Sequence, residues 1–293
     1  MNKTVKKIGI AVLAVVGVLI VAVVLLVTVF RGEASNYLKE DYVKLLKAVE
    51  YNNVDTLDIN FHYAMNDSIL LKVREYFQLD TLFDGTEDTW QKGLKIQSFV
   101  SSNQPHDNPK EMTKSLNAID LWKYVDSTGN YMNCRQHSIM MRDMLLSVGI
   151  KTRVVSCMPY DSTDMDCHVV NEIYSPELDQ WIMLDSDQNH IVTDIDGNPM
   201  SIRMLHDFLT NDKPYLIDGK PNKGLYYDRY MAKNAYWYNR EVISDMDSET
   251  GDNRKSRVYV SLVPEGFELG KSSVYHYRFA ESVHTSNPDL FWK

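Results

Sequence analysis

The apolar positions of the chain follow three kinds of spacing, and the first is an unbroken run. Residues 8–30 carry no charged side chain. A helix needs about 20 apolar residues to cross the ~30 Å hydrocarbon layer of a bilayer, so this run is long enough to span a membrane. A secretory signal is the alternative, but its apolar stretch has only about 7–15 residues and ends at a small-residue cleavage site. The pattern favours an uncleaved transmembrane anchor over residues 8–30.

The charges beside this run predict its orientation. Lys3, Lys6 and Lys7 precede it, and Arg31 and Glu33 follow it. Because flanks rich in lysine stay in the cytosol, residues 1–7 are predicted to form a cytoplasmic tail. Residues 31–293 are then predicted to lie outside the cytoplasm of a single-pass cell-membrane protein.

Beyond the anchor, apolar residues recur first at helical and then at strand spacing. The predicted helices lie within 35–77 and over 87–103, 111–125, 133–148 and 201–210. The predicted strands lie over 150–157, 168–174, 181–185, 258–263 and 273–279. Several helices come first, and the helix over 133–148 then leads into a run of adjacent strands. This order indicates an α+β fold. We divide it into a helical lead-in (31–86), a core (87–212) and a C-terminal extension of mixed helix and strand (213–293).

Composition excludes several classes of function. The 293 residues include 40 acidic and 31 basic side chains, for a net charge of −9. This acidic balance does not suit binding to a phosphate backbone, so no nucleic-acid partner is predicted. With 44% hydrophobic and 24% charged residues, the bulk of the chain has the composition of a globular protein. Three cysteines are too few for a scaffold of several disulfides.

Cys134 is the first candidate for chemistry. Asn133 is a good N-cap, which places Cys134 in the first turn of the predicted helix over 133–148. The free backbone N–H groups and the positive dipole end of a helix favour a thiolate there, and the thiolate is the nucleophile. A buried structural cysteine is the alternative. It fits Cys157, within an apolar strand, better than Cys134 with its polar neighbours.

His168 and Asp185 are the second candidate, because they lie on successive predicted strands. A turn centred between Pro176 and Glu177 places His168 opposite Asp185, where the imidazole can donate an N–H to the carboxylate. Slippage by one residue would reverse the faces. Cys134, His168 and Asp185 are therefore predicted to form a catalytic triad of nucleophile, base and orienting acid. The backbone N–H of Cys134 could serve as one oxyanion donor.

Four motifs resemble the transglutaminase-like superfamily. They are NCRQHS at 133–138, LLSVGIKTRVV at 145–155, DCHVVNEIY at 166–174 and WIMLD at 181–185. The resemblance is dense over 133–200 and weaker back to about residue 70. It implies a papain-like core with the cysteine helix packed on an antiparallel sheet, and it makes Cys134, His168 and Asp185 the catalytic positions.

The chain departs from this family pattern at three places, and one is that Val169 and Val170 follow His168, where the family often has a small and an aromatic residue. Asp185 is followed by Ser186, where the family usually has proline. Cys167 directly before His168 is unusual, and a disulfide to Cys157 would leave Cys134 as the free thiol.

Other polar and aromatic clusters have simpler interpretations. Cys134 with His137, and Cys167 with His168, lack the paired ligand spacing of a structural zinc site, so no metal and no cofactor is predicted. The aromatic cluster over 226–238 is interpreted as core packing of the C-terminal extension, with a substrate shelf as the alternative.

The sequence thus predicts a membrane-anchored, extracytoplasmic thiol enzyme that acts on amide or peptide bonds through a thioester on Cys134. Water as the acceptor gives a peptidase or amidase, and an amine gives acyl transfer; hydrolysis is favoured. The predicted partners are the lipid bilayer, through residues 8–30, and a protein or peptide substrate, which could belong to the cell envelope. The alternatives are an inactive binding module at the cell surface and a scaffold acting through the helices at 35–77.

Overall fold

The computed structural model describes residues 3–55, 57–65, 68–109, 113, 115–161, 163–246, 258–268 and 282–293, and the side chains from residue 13 onward. The helices are α1 (Lys3–Lys47), α2 (Ser68–Tyr76), α3 (Thr89–Asn103), α4 (Ala118–Thr128), α5 (Cys134–Ser147), α6 (Ile202–Thr210), α7 (Tyr226–Lys233) and α8 (Pro288–Phe291). A 3-10 helix spans Leu79–Leu82. The predicted strand at 273–279 lies outside the described residues.

The strands are short. They are β1 (His62–Tyr63), β2 (Thr152–Met158), β3 (His168–Ser175), β4 (Gln180–Leu184), β5 (Val192–Thr193), β6 (Leu216–Ile217), β7 (Lys220–Pro221), β8 (Trp237–Glu241), β9 (Ile243–Ser244), β10 (Tyr259–Leu262) and β11 (Ser282–Thr285). The main sheet has the order β11-β10-β8-β2-β3-β4. Neighbours in it are antiparallel except β10 and β11. The predicted strands at 150–157, 168–174, 181–185 and 258–263 all belong to this sheet.

Helix α1 runs without a break from the apolar run into the lead-in. Its apolar side chains are exposed over the run, for example Leu13 and Leu26 at 72% each. The helix is therefore long and apolar enough to cross a membrane, and protein does not cover that surface. The sequence predicted an anchor and separate helices within 35–77. The structure instead extends one helix to Lys47, because no proline interrupts it.

Helices cover both faces of the main sheet. On one face, α3, α4 and α5 pack against Ile173, Ile182 and Leu184. On the other, α6, α7 and the polar end of α1 pack against Val170 and Met183. Side chains of successive strand residues point to opposite faces, so β3 and β4 each contribute to both cores. The α+β fold with the cysteine helix packed on an antiparallel sheet is confirmed.

The predicted hairpin register is wrong by two residues. Asn171 pairs with Leu184, and Ser175 pairs with Gln180, so Asp185 would continue opposite Val170 rather than His168. The loop between the strands has four residues, and Asp179 closes it with a left-handed φ of 50°. A two-residue hairpin starting at Pro176 is excluded because its first central residue needs a positive φ, which proline cannot adopt.

Candidate functional site

Cys134 begins α5, as predicted. The side chain of Asn133 accepts a hydrogen bond from the backbone N–H of Gln136 at 3.1 Å. The amide oxygen of Gln136 accepts one from the backbone N–H of Asn133, also at 3.1 Å, which completes a capping box. The half-buried Cys134 thiol points toward β3, with Sγ 3.8 Å from the backbone carbonyl oxygen of Cys167. The sulfur thus lies at the positive end of a helix, beside the residue that precedes His168.

His168 and Asp185 meet despite the register error. Nε2 of His168 lies 2.6 Å from Oδ2 of Asp185, and both side chains are fully buried. Because the register error is two residues, the faces are unchanged and the two side chains reach each other diagonally across β3 and β4.

The two groups stabilise each other's charge. Burial alone would lower the pKa of His168, but the charge and hydrogen bond of Asp185, together with Cys134, raise it well above its ordinary value. Burial would likewise raise the pKa of Asp185, but His168 and the hydrogen bonds from Tyr227 and Gln188 lower it to about 2. The geometry therefore favours an imidazolium beside a carboxylate.

The second ring nitrogen of His168 is available to Cys134. Nδ1 has no regular hydrogen-bond partner within the described part of the chain. Nε2 is held by Asp185, and the Cys134 side chain contributes to the raised pKa of His168. His168 thus has one ring nitrogen on the Asp185 carboxylate and one that is free to act on a neighbouring group.

Four further groups fix the Asp185 carboxylate and its backbone. Oδ1 accepts from the backbone N–H groups of Asp187 and Gln188 at 3.1 and 3.0 Å. Oδ2 accepts from the hydroxyl of Tyr227 at 2.6 Å, in addition to His168. The backbone N–H of Asp185 donates to Oε1 of Gln97 in α3 at 2.9 Å. The carboxylate has little freedom to rotate.

Helix α7 forms one wall beside His168. The rings of Tyr227 and Tyr230 lie 6.2 and 5.1 Å from the His168 ring. The Tyr230 hydroxyl donates to the Cys167 carbonyl at 3.2 Å. Lys233 closes the same face through an ion pair with Asp166 at 2.9 Å. Part of the aromatic cluster therefore lies against His168 and does more than pack the core. Tyr227 and Tyr230 are three residues apart in α7, so they lie on the same side of the helix.

A second His–Asp pair lies beside the first. Nδ1 of His106 contacts the buried carboxylate of Asp187, and its ring lies 6.4 Å from that of His137. The hydrogen bond with Asp187 raises the pKa of His106. Burial lowers the pKa of His137, whose Nδ1 contacts the Ser186 carbonyl at 3.1 Å. A partly exposed imidazole, that of His106, thus borders the buried pair of His168 and Asp185.

His168, Asp185 and Asp187 could in principle hold a metal ion, since one ligand atom from each lies within 4.8 Å of the others. Both oxygens of Asp185 already accept two hydrogen bonds, as described above. Asp187 is held by His106 and by the Gln188 amide at 3.1 Å. A cation would have to displace these donors, so the donor set fits a hydrogen-bonded dyad better than a metal site.

The suggested disulfide is not formed, since all three cysteines are free thiols. Cys157 is buried in the core beneath α6 and α7, where burial raises its pKa well above the ordinary value. Cys167 instead packs against Met158, Trp237 and Val263. The two sulfurs lie in different clusters, so the pairing hypothesis was wrong.

The chain is similar to known proteins over part of its length. The family model described as the transglutaminase-like superfamily matches residues 79–186. No curated protein matches the chain. Among solved structures, a candidate cysteine protease from Cytophaga hutchinsonii is 17% identical with a TM-score of 0.33, covering 52% of this chain and 49% of that one. A candidate protease from Parabacteroides distasonis is 13% identical with a TM-score of 0.26, covering 50% of this chain and 26% of that one. The chain therefore spans half or less of these structures.

Proposed function

Residues 79–186 form a transglutaminase-like domain, and from that premise we propose that the protein is a thiol enzyme that cleaves amide bonds through a thioester on Cys134. The observation that carries the proposal is the buried pair of His168 and Asp185, with the second imidazole nitrogen left for the sulfur. A cysteine at a helix N-terminus with an oriented histidine is the arrangement that thiol acyl transfer needs.

In the first step, the Cys134 sulfur attacks the carbonyl carbon of an amide. A C–S bond forms while the carbonyl electron pair moves to oxygen, and the backbone N–H of Cys134 at the start of α5 can donate to that oxyanion. The oxyanion then collapses and the C–N bond breaks. The imidazolium of His168 gives its Nδ1 proton to the leaving amine, and Asp185 keeps the ring oriented.

In the second step, neutral His168 takes a proton from the acceptor as the acceptor attacks the thioester carbon. The C–S bond breaks, and the sulfur leaves as a thiolate beside the re-formed imidazolium. Water as the acceptor releases a carboxylic acid, whereas a primary amine forms a new amide. We propose hydrolysis of a protein or peptide, and an inactive binding module is the alternative that the following experiment excludes or supports.

The experiment treats the full chain with a peptide carrying an electrophile in place of the scissile amide, and maps the adduct by peptide mass spectrometry. We expect the adduct on Cys134 and its loss in Cys134→Ala, while Cys167→Ala keeps it. A second reaction supplies a real peptide with and without a primary amine. Free acid as the product indicates hydrolysis, and an amine conjugate indicates acyl transfer. A folded chain that forms neither an adduct nor a product would support the binding module.

We further propose that α1 anchors this enzyme in the cell membrane, with residues 1–7 in the cytosol. The exposed apolar stretch of α1 supports the anchor, and the flanking lysines support the orientation. The catalytic domain would then act on proteins or peptides outside the cytoplasm.

A further inference from the structure

The polar half of α1 contacts α7 directly. The Ser35 hydroxyl donates to the backbone carbonyl of Leu225 at 3.2 Å, and the side chain of Asn36 accepts from the backbone N–H of Gly224 at 2.7 Å. The backbones approach closely here, since a Cβ placed on Gly224 would lie 3.5 Å from Cα of Gly32. The chain entering α7 is therefore held by the helix that leaves the apolar run.

An ion pair strengthens this contact in the first turn of α7. Nζ of Lys39 lies 2.8 Å from Oδ2 of Asp228, whose side chain is 1% exposed. The other carboxylate oxygen accepts from the Tyr215 hydroxyl and from the Asn222 amide at 3.2 Å. Lys39 is the cation that compensates this buried charge, and loss of one partner in such a pair is strongly destabilising locally.

The residue before Asp228 is Tyr227, which reaches the catalytic pair. Its hydroxyl lies 2.6 Å from the Asp185 oxygen that also holds His168. Burial and the Asp185 charge raise the pKa of Tyr227 well above its ordinary value, so the hydroxyl stays protonated as a donor. A shift in the first turn of α7 would therefore move a donor of the Asp185 carboxylate.

We propose that Tyr227 is a positioning residue for Asp185 and that the polar half of α1 holds it in place through the Lys39–Asp228 ion pair. The inference rests on the proposed function and extends it, because the helix that would anchor the enzyme also becomes a structural part of its catalytic site. Neither Tyr227 nor α1 belongs to the segment that matches the family model. Release of α1 from α7 would lower reactivity without touching the triad.

The test uses the full chain in detergent micelles and two readouts. The first is the rate at which the substrate-like electrophile modifies Cys134. The second is the downfield proton resonance of the His168–Asp185 hydrogen bond in protein with nitrogen-15 histidine, which does not depend on activity. Thermal unfolding checks that each variant is folded.

We expect Tyr227→Phe and Lys39→Met each to lower the rate about tenfold, as for groups that orient a catalytic residue without touching substrate. Both should also shift the resonance. Lys39→Arg, which keeps the charge, should restore the rate and the resonance. Lys44→Met is the matched control, because Lys44 pairs with Asp41 in its own helix and is 71% exposed. This variant should behave as wild type.

A double-mutant cycle separates positioning from general destabilisation. If α1 acts through Tyr227, the double variant Lys39→Met with Tyr227→Phe should modify Cys134 at nearly the same rate as Tyr227→Phe alone. The inference is overturned if Lys39→Met matches Lys44→Met in both readouts, or if the two effects on rate simply multiply. If the wild type does not react at Cys134 while the resonance still shifts in Lys39→Met, the proposed function fails and the coupling between α1 and the dyad stands.

Discussion

Oδ2 of Asp185 accepts two short hydrogen bonds, one from Nε2 of His168 and one from the hydroxyl of Tyr227, both at 2.6 Å. The first donor comes from the central sheet and the second from a helix beyond the matched family segment. Because the remaining oxygen is held by backbone N–H groups, the carboxylate can present only one geometry to the imidazole.

Asp185→Asn should remove the charge that orients His168 and stabilises its protonated form, while it keeps the shape of the side chain. We expect the rate of Cys134 modification by the peptide electrophile to fall by about 10⁴-fold, the loss known for this change in a serine-protease triad. Asp179→Asn is the control, since that carboxylate accepts from Tyr174 at the exposed end of the same hairpin. A variant at position 185 that kept half the wild-type rate would contradict the prediction.

The pKa shifts of the dyad predict how stability changes with pH. The pKa of Asp185 is lowered from 3.8 to about 2, so its contribution is fully present above pH 3.8 and is lost as the pH falls through about 2. The pKa of His168 is raised well above 6.5, so its contribution is fully present below pH 6.5 and is lost as the pH rises through the raised value. The dyad should therefore stabilise the fold most between about pH 4 and 6.5.

Urea unfolding measured from pH 4 to pH 10 tests whether the dyad stabilises the fold most between about pH 4 and 6.5. The comparison is between wild type and the double variant His168→Gln with Asp185→Asn. The difference in unfolding free energy should be largest near pH 5, within the window set by the two groups. This difference in unfolding free energy should become smaller as the pH rises above 6.5 and His168 loses its proton. A difference that stays constant from pH 4 to 10 would show that the pair does not titrate as described.

Arg142 is a buried cation in α5. This side chain has no exposed area; it binds Asp143 at 2.8 Å and lies 3.5 Å from Glu241. Arg142→Met should cost about 3–5 kcal/mol of unfolding free energy, because it removes a fully buried cation from the ion pair with the equally buried Asp143 carboxylate. Arg203→Met, which breaks the exposed pair with Asp289, should cost less than about 1 kcal/mol. Similar losses in the two variants, measured by urea unfolding, would contradict this.

The proposed orientation is tested on intact cells. An impermeant thiol reagent should label Cys134, which is half-buried, and leave the buried Cys157 unlabelled. Cys134→Ala controls for labelling at Cys167. Labelling of Cys134 only after lysis would place the domain in the cytosol and contradict the proposed topology.

The parts of the site governed by local rules could be predicted from sequence. An Asn–Cys pair before an apolar helix fixes the cap and the position of Cys134, and alternating residues place His168 and Asp185 on one sheet. The register was misjudged because Pro176 was placed in a two-residue turn that its φ forbids. The proline in the sequence is therefore a signal against the two-residue turn.

The contacts made by Tyr227 could not be predicted in the same way. This residue follows Asp185 by 42 positions, and no periodicity links the two. Its placement depends on α7 packing against α1, a contact between segments about 190 residues apart. Such long-range pairs are set by the tertiary fold, so the sequence indicated an aromatic cluster but not its role.

The most direct test of the account is the rate of Cys134 alkylation by iodoacetamide across pH 5–9 in wild type and in His168→Gln, with the site confirmed by peptide mapping. The account predicts that the imidazolium keeps the wild-type sulfur reactive in the acidic part of this range, at least about tenfold faster than the variant at pH 6. Equal rates in the two proteins at every pH would contradict the claim that His168 activates Cys134.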